Sequence, residues 1–425
     1  MKTQAKIDLP PFFRVRQGFQ SHRLDDVAAS VSAQLDRARV ADEIQKGDSI
    51  AIAVGSRGIS NIGLITKTVV RFLANLGGRP FIVPAMGSHG GATPEGQASV
   101  LATYGIDSAN LGCEIRSNLD TAEIGSTSDG TRVHFDKHAA KADHIIIVNR
   151  IKPHTRLVGP IQSGVCKMMM IGLGKHRGAL QYHQVFPKFD YEFAKIAKQA
   201  VPLINRQMPI RLGIAIVEDA FDNTCHVEAI QPQALLAREP ELLQMAIQHM
   251  PSLPFDHADL LIVDQIGKEI SGTGMDTNIV GRKQNDREAA PNELPKIKQI
   301  YVRSLTSKTK GNATGIGIAE YCHSRIPTEM DYDATRVNCV TSGHVSAGAI
   351  PVHFGSDIEV FGAAINQATD PSPGGAQWMR IRDTLHLNEM DLSLAYFEDA
   401  QSRSDLEIIA SPAELRFDDQ GDLVD

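Results

Sequence analysis

Four side chains in the first half of this 425-residue chain are of types that do chemistry, and their neighbours narrow what that chemistry is. Lys167 lies between Val165-Cys166 and Met168-Met169-Met170, an apolar frame in which an ammonium is poorly hydrated. Desolvation disfavours the charged amine and makes it a better nucleophile or covalent anchor. His154 and His183 stand on either side of it in the run from Asn149 to His183, and His89 sits upstream in the loop Met86-Gly87-Ser88-His89-Gly90-Gly91. Imidazoles on loops reach ligands, exchange protons near neutral pH and bind metals. These residue types indicate a small-molecule site with a covalent tether or a metal.

Each residue also has a plainer explanation. Glycines around His89 let a backbone approach a ligand closely, but a turn histidine capping the following helix fits the same residues. His154 follows Lys152-Pro153 and projects from an extended loop, where an ordinary surface histidine would look alike. Lys167 has the alternative of a snorkelling lysine on a helix edge. His183, after Gln181-Tyr182, reads by itself as a helix-face histidine, and His144 and His176 read as polar-edge residues. Two glycine runs, Gly172-Leu173-Gly174-Lys175 and Gly315-Ile316-Gly317, lack the full spacing of a dinucleotide loop. The triplet Asp143, His154 and Ser163 lacks the G-x-S-x-G elbow of a hydrolase.

The elements that must position these groups are legible from periodicity. Ile50 to Val54, Pro80 to Pro84, Ile145 to Val148 and Leu212 to Val217 are uninterrupted apolar runs of strand length. Leu64 to Leu76 has helical spacing and stops at Gly77-Gly78, and Thr93-Pro94-Glu95 opens another helix with threonine as N-cap. Apolar strands separated by helices predict a mostly parallel sheet covered on both faces. Ligands of such sheets lie beyond the carboxyl ends of the strands, where Arg57, His89 and His154 all fall. A second α/β unit begins near Pro251-Ser252-Leu253-Pro254, with Asp259 to Asp264 as its first strand and a glycine-rich loop from Gly267 to Gly274. Lys298 to Arg303 reads as a strand, Asn312 to Cys322 and the run from Asp357 to Ile365 as helices, Gly281 to Pro295 as a polar loop, and the acidic tail from Asp418 as frayed. The expectation is α/β throughout: a domain over 1–250, a second over 251–425, mostly parallel sheets, and an active site in the interdomain cleft.

Composition excludes several classes. A formal net charge of -7 gives no basic footprint, which argues against nucleic acid as a partner. Five scattered cysteines without a C-x-x-C pair indicate reduced thiols in a cytoplasmic protein, not a disulfide framework or a cysteine zinc site. Met1 to Arg16 has no apolar core of signal-peptide length, and no apolar run is long enough to span a bilayer, so no membrane partner is expected.

Taken in order, the Gly87-Ser88-His89 loop, His154, the run Ser163-Gly164-Val165-Cys166-Lys167, and His183 sixteen positions beyond Lys167 resemble the nickel-dependent lactate racemase family, whose members use a nickel pincer nucleotide. The resemblance implies His89 and His154 as catalytic bases, Lys167 as the thioamide tether of the cofactor, His183 as the nickel ligand and Arg57 as the arginine that orients substrate. It implies racemisation or epimerisation of a 2-hydroxy acid by reversible hydride transfer to the tethered pyridinium, and cofactor maturation enzymes as partners; a homo-oligomer is left open. One imidazole beside the sulfur, carbon and sulfur donors of the pincer would complete the planar four-coordinate site that Ni(II) favours. The chain departs from the family pattern in places. His154 to Lys167 spans thirteen positions, longer than the equivalent stretch, Val165 replaces a glycine, and no acidic residue precedes Arg57 in Gly55-Ser56-Arg57-Gly58. In the second half, Lys268 is the best candidate for a further cationic substrate contact, with Asp276, Asn278 and Arg282 behind it. These departures favour a longer, hydroxylated or dicarboxylic 2-hydroxy acid over lactate. Two other readings remain at this level: a pyridine-nucleotide-dependent 2-hydroxy acid oxidoreductase, and a non-catalytic sugar-acid or metal-binding protein on the same scaffold.

Overall fold

The computed structural model describes residues 8–55, 58–372 and 374–424. The chain divides into two compact units, Gln20–Met250 and the combination of Met1–Phe19 with Pro251–Asp425. Residues 1–250 are therefore not one unit by themselves. Their first strand, β1 (Phe12–Gln17), pairs within the sheet of the other unit.

In Gln20–Met250 the strands are β2 (Ser49–Val54), β3 (Arg79–Pro84), β4 (Glu114–Ile115), β5 (Thr121–Ser126), β6 (Arg132–Asp136), β7 (His144–Arg150), β8 (Ile210–Glu218) and β9 (Thr224–Ile230). Six of them form one sheet in the order β4-β3-β2-β7-β8-β9, parallel except for the β8–β9 edge pair. The helices are α1 (Val27–Arg37), α2 (Ile62–Asn75), α3 (Pro94–Ala102), α4 (Ser108–Leu111), α5 (Val165–Lys167), α6 (Lys175–Val185), α7 (Phe193–Gln207) and α8 (Leu235–His249). Side chains alternate across the pleat. Ile50, Ile52 and Val54 enter one core with Val31, Leu35, Ile65 and Val69 of α1 and α2. Ala51, Ala53, Ile145 and Ile147 enter another with Met168 to Met170 and α7. Both faces are thus covered, which is why these strands read as unbroken apolar runs. The order reverses between β2 and β7: from β2 the chain proceeds outward through β3 and β4, from β7 through β8 and β9. A crevice at the carboxyl ends of two strands that diverge in this way is where ligands of open parallel sheets bind.

The other unit has one eight-stranded sheet containing β10 (His257–Ile266), β11 (Lys296–Leu305), β12 (Tyr321–His323), β13 (Val352–Phe354), β14 (Trp378–Ile381), β15 (Glu389–Ser393) and β16 (Leu406–Ala413). Its order is β13-β12-β11-β10-β14-β15-β1-β16, parallel as far as β14 and antiparallel from there. A row of opposite charges crosses five neighbouring strands. Arg303 bonds Asp264 at 2.8 Å, Asp264 accepts from Arg380 at 3.0 Å, and Asp391 faces Arg380 at 3.4 Å and Arg14 at 2.6 Å. That row fixes β1 in this sheet although it is remote in sequence.

Two expectations are corrected in this unit. Asn312 to Cys322 is not a helix: Gly315 adopts a left-handed φ of 100°, a single 3-10 turn covers Ile316–Ile318, and β12 follows. Nor is the carboxyl-terminal tail frayed. Leu423 is buried, its N–H donates to Asp357 at 2.8 Å and its carbonyl accepts from Arg303 at 2.9 Å. Asp357 is itself fully buried and also accepts from Arg303 at 2.6 Å and from the Tyr301 hydroxyl. Among the described residues no helix is long and apolar enough to cross a membrane.

Removing the Asp357 carboxylate would leave a guanidinium and an amide facing each other in the interior. Asp357→Ala should therefore destabilise this unit by about 3–5 kcal/mol in denaturant unfolding. A loss below about 1 kcal/mol would mean that the network is no stronger than a surface ion pair.

Candidate functional site

Lys167 ends α5, and the chain passes at once into a single π-helical turn over Met168–Gly172, closed by Leu173 N–H to the Met168 carbonyl at 2.8 Å. Such widened turns are uncommon and concentrate at functional sites. Cys166 and the three methionines are buried while Lys167 is half-buried, so the amine leaves an apolar base at the edge of the core. Beneath the turn lies a group with no sequence signal. Glu239 of α8 is fully buried, and its carboxylate accepts the Cys166 N–H at 2.7 Å and the Val165 N–H. Burial pushes the Glu239 carboxyl up to about 7 despite those bonds. The same carboxylate explains Gly164, where a Cβ would come within 2.9 Å of both carboxylate oxygens. Burial and this carboxylate raise the Cys166 thiol well above its usual range, so it is not a thiolate nucleophile.

His183 lies in the last turn of α6, with Phe186 edge-on at 5.6 Å. The ring keeps one side open to solvent, yet the protein around it is the first cause holding its pKa below the ordinary value, followed by the charge of Lys167. The charge of the amine thus acts on the imidazole, and both causes favour the neutral form, which is the one that binds metals. Lys175 fixes the start of α6. It is fully buried in a left-handed conformation, donates to the Pro84 carbonyl at the end of β3 and pairs with buried Asp136 of β6 at 3.2 Å. This rules out a phosphate loop at Gly172 to Lys175.

The loop carrying His89 leaves β3 beside that lysine. Gly87 N–H reaches the Gly172 carbonyl at 3.5 Å, and buried Gln97 of α3 donates to the carbonyls of Gly87 at 3.0 Å and His89 at 3.3 Å. His89 does not cap α3: Thr93 does, accepting the Gly96 N–H at 3.0 Å. The loop carrying His154 leaves β7 and closes on itself through Lys152 N–H to the Ser163 carbonyl at 3.0 Å. Asn149 at the end of β7 donates to the Gly164 carbonyl at 2.9 Å, so the loop returns directly onto α5. The long stretch from His154 to Lys167 is therefore a closed excursion. Arg150 also reaches the Gly58 carbonyl of the β2 loop at 3.4 Å.

The loops after β2, β3 and β7 thus share one edge of the Gln20–Met250 sheet with α5 and α6. Arg57 lies outside the described residues. Asp143 bonds Ser49 at the opposite, amino-terminal end of β7, so it makes no triad with His154 and Ser163. Lys268 belongs to the other unit, where its ammonium donates to the Gly272 carbonyl at 2.7 Å. Arg282, also in that unit, is buried on the carbonyls of Ile297 and Lys298 and has a structural role. Lys283, passed over in the sequence, donates to Asn278 at 3.2 Å, and burial lowers its pKa to about 8. Among the described residues, the group of acidic and histidine side chains close enough for a metal is His323, Asp357 and Asp422. Its carboxylates already pair with Arg303 and Arg325, which makes it an ion-pair network.

Because the Lys167 charge depresses the His183 pKa, Lys167→Met should raise it. It should stay below the ordinary histidine value, since desolvation, the larger cause, remains. An NMR pH titration of the His183 ring checks this, and an unchanged value would separate the two groups.

Comparison with known proteins bears on this edge of the sheet. The family model described as the lactate racemase N-terminal domain matches residues 15–192. The lactate racemase apoprotein from Thermoanaerobacterium thermosaccharolyticum is similar at 12% identity and a TM-score of 0.48, covering 84% of this chain and 92% of that one. A crystal structure of a protein from Thermotoga maritima is similar at 13% identity and a TM-score of 0.49, covering 77% of this chain and 83% of that one. No curated protein matches. The matched segment contains His89, His154, Lys167 and His183, and residues 15–192 are thus similar to the lactate racemase N-terminal domain.

Proposed function

We propose that this protein is an isomerase that racemises or epimerises a 2-hydroxy acid with a nickel pincer nucleotide held at the carboxyl edge of the Gln20–Met250 sheet. The observation that carries the reading is the order of His89, His154, Lys167 and His183 inside the segment matched by the family model, with the Lys167 amine on an apolar base and its charge helping to lower the His183 pKa. Lys167 and His183 fit the cofactor. Lys167 would hold it through an amide-type bond, which removes the ammonium charge, and His183 would supply the one protein ligand to nickel. When bound, the group supplies a reversible acceptor for the hydride on the substrate's α-carbon.

The chain's own residues supply the rest. His89 and His154 are the candidates for handling the hydroxyl proton, each on a loop braced by buried polar contacts. Arg57 would hold the substrate carboxylate, for which a guanidinium offers two parallel donors. The lengthened loop between His154 and Lys167 favours a substrate larger than lactate. The buried methionines under Lys167 lower the local dielectric on that side, which strengthens charge interactions beside them.

Protein matured beside the cofactor-making enzymes should interconvert the enantiomers of a 2-hydroxy acid, read by chiral chromatography across acids of increasing length and charge. Lys167→Ala should lose both the covalent mass addition and turnover; retained turnover removes the tether from the reading. Separately, His183→Ala should lower nickel content, measured by elemental analysis, more than His89→Ala does, and equal losses would dissolve the division of roles.

A further inference from the structure

Arg156 lies two residues past His154, within the stretch to Lys167 that is longer here than in the family it resembles. Among the described residues, every other arginine that is not exposed pairs with a carboxylate. Arg156 has none. Its guanidinium lies over the Tyr191 ring at 4.2 Å, and Nη2 donates to the neutral Tyr191 hydroxyl at 3.0 Å. Its Nη1 is shielded from water and has no hydrogen-bond partner. Glu192, next to Tyr191, pairs with Lys195 at 2.8 Å instead. A guanidinium keeps its charge at any ordinary pH, and taking it from water without a counter-charge is costly. The residue is half-buried, so one flank stays open to a ligand that supplies the missing anion.

The backbone sets this cation at the candidate site. His154 Nδ1 accepts the N–H of Arg156 at 3.0 Å and that of Leu157 at 3.1 Å, so the arginine starts against the imidazole. Val158 N–H then donates to the Tyr191 carbonyl at 2.9 Å, and Tyr191 N–H to the Phe186 carbonyl at 3.0 Å. Phe186 in turn stands edge-on to His183. The guanidinium is therefore held where the His154 loop meets the turn that follows α6. The loop has little freedom to carry it elsewhere. His154 N–H donates to the Gln162 side chain at 2.9 Å, and the Lys152–Ser163 pair closes the neck.

We propose that the substrate is a dicarboxylic 2-hydroxy acid and that Arg156 binds its second carboxylate, a step that rests on the 2-hydroxy acid reading above. Arg57 would take the carboxylate next to the reacting carbon, which leaves Arg156 for the far end of the molecule. A guanidinium suits that task, because its donors match the spacing of two carboxylate oxygens. An acid gripped at both ends keeps its reacting carbon in place while the configuration inverts. A methyl group in place of the second carboxylate leaves the guanidinium unpaired, so the site discriminates against monocarboxylic acids of equal length.

Malate and 2-hydroxybutyrate test this, since they share a carbon chain and differ only in a distal carboxylate against a methyl group. In the matured holoenzyme, kcat/KM for malate should exceed that for 2-hydroxybutyrate. Arg156→Gln should lower the ratio of the two by about 10–10²-fold, the worth of a hydrogen bond to a charged group. Arg156→Lys, which keeps the charge and loses the fork, should fall between. An unchanged ratio in Arg156→Gln, with both rates falling together, marks a residue that only holds the loop and overturns the proposal. Loss of the bound cofactor from Arg156→Gln, read by intact-protein mass, assigns the guanidinium to a phosphate and overturns it too. If wild-type holoenzyme turns over neither acid, the proposed function fails, and titration calorimetry on the same protein decides the role of Arg156. Malate should then bind about tenfold more tightly than 2-hydroxybutyrate, and only while Arg156 is present; equal binding of the two acids overturns the proposal.

Discussion

A parallel sheet buried on both faces leaves only its strand ends open, and the Gln20–Met250 unit is built under that constraint. Ile50, Ile52 and Val54 point into one core and Ala51 and Ala53 into the other, so no side chain of β2 is free for chemistry along its length. Function is forced to the loops. The reversal of strand order between β2 and β7 then decides which loops can share a crevice. A histidine on the loop after β4 would stand further from that crevice than one after β3 or β7.

Buried polar groups, and not apolar packing alone, give those loops their positions. Lys175 and Asp136 form an ion pair with no exposed atoms on either side chain, an arrangement that is costly to dehydrate and weak as a source of stability. Its value lies in direction, since it joins the end of β3, strand β6 and the first residue of α6. Glu239 acts similarly under α5, where a carboxylate satisfies two amide groups that the short helix leaves unpaired. Both groups stand outside the proposed chemistry and hold the residues that would perform it.

The other unit shows the same use of charge at larger scale. The row from Arg303 through Asp264, Arg380 and Asp391 to Arg14 runs perpendicular to the strands and spans the change from parallel to antiparallel pairing. Asp357 extends it to the last residues of the chain. Arg282 and Lys283 are consecutive in sequence but differ in kind: the first is spent on backbone carbonyls, while the second keeps a depressed pKa beside Asn278.

Sequence alone determined what local pattern encodes. The apolar runs of β2, β3, β7, β8, β10 and β11, the Thr93 cap with Pro94 behind it and the apolar frame of Lys167 are properties of neighbouring residues, legible wherever burial imposes a period. The order of histidines and lysine that carries the resemblance to the lactate racemase family is likewise linear. Tertiary structure decided whatever depends on partners distant in the chain. Glu239 reads as one more helical glutamate until its carboxylate is found beneath Cys166, and Lys175 as part of a glycine loop until Asp136 meets it. Strand β1 and the acidic tail were unreadable for the same reason, because β1 meets an aspartate 377 residues away and the tail an arginine 120 residues away. The orientation of the His154 ring was decided last and most locally, by two amide hydrogens whose direction exists only once the loop has closed.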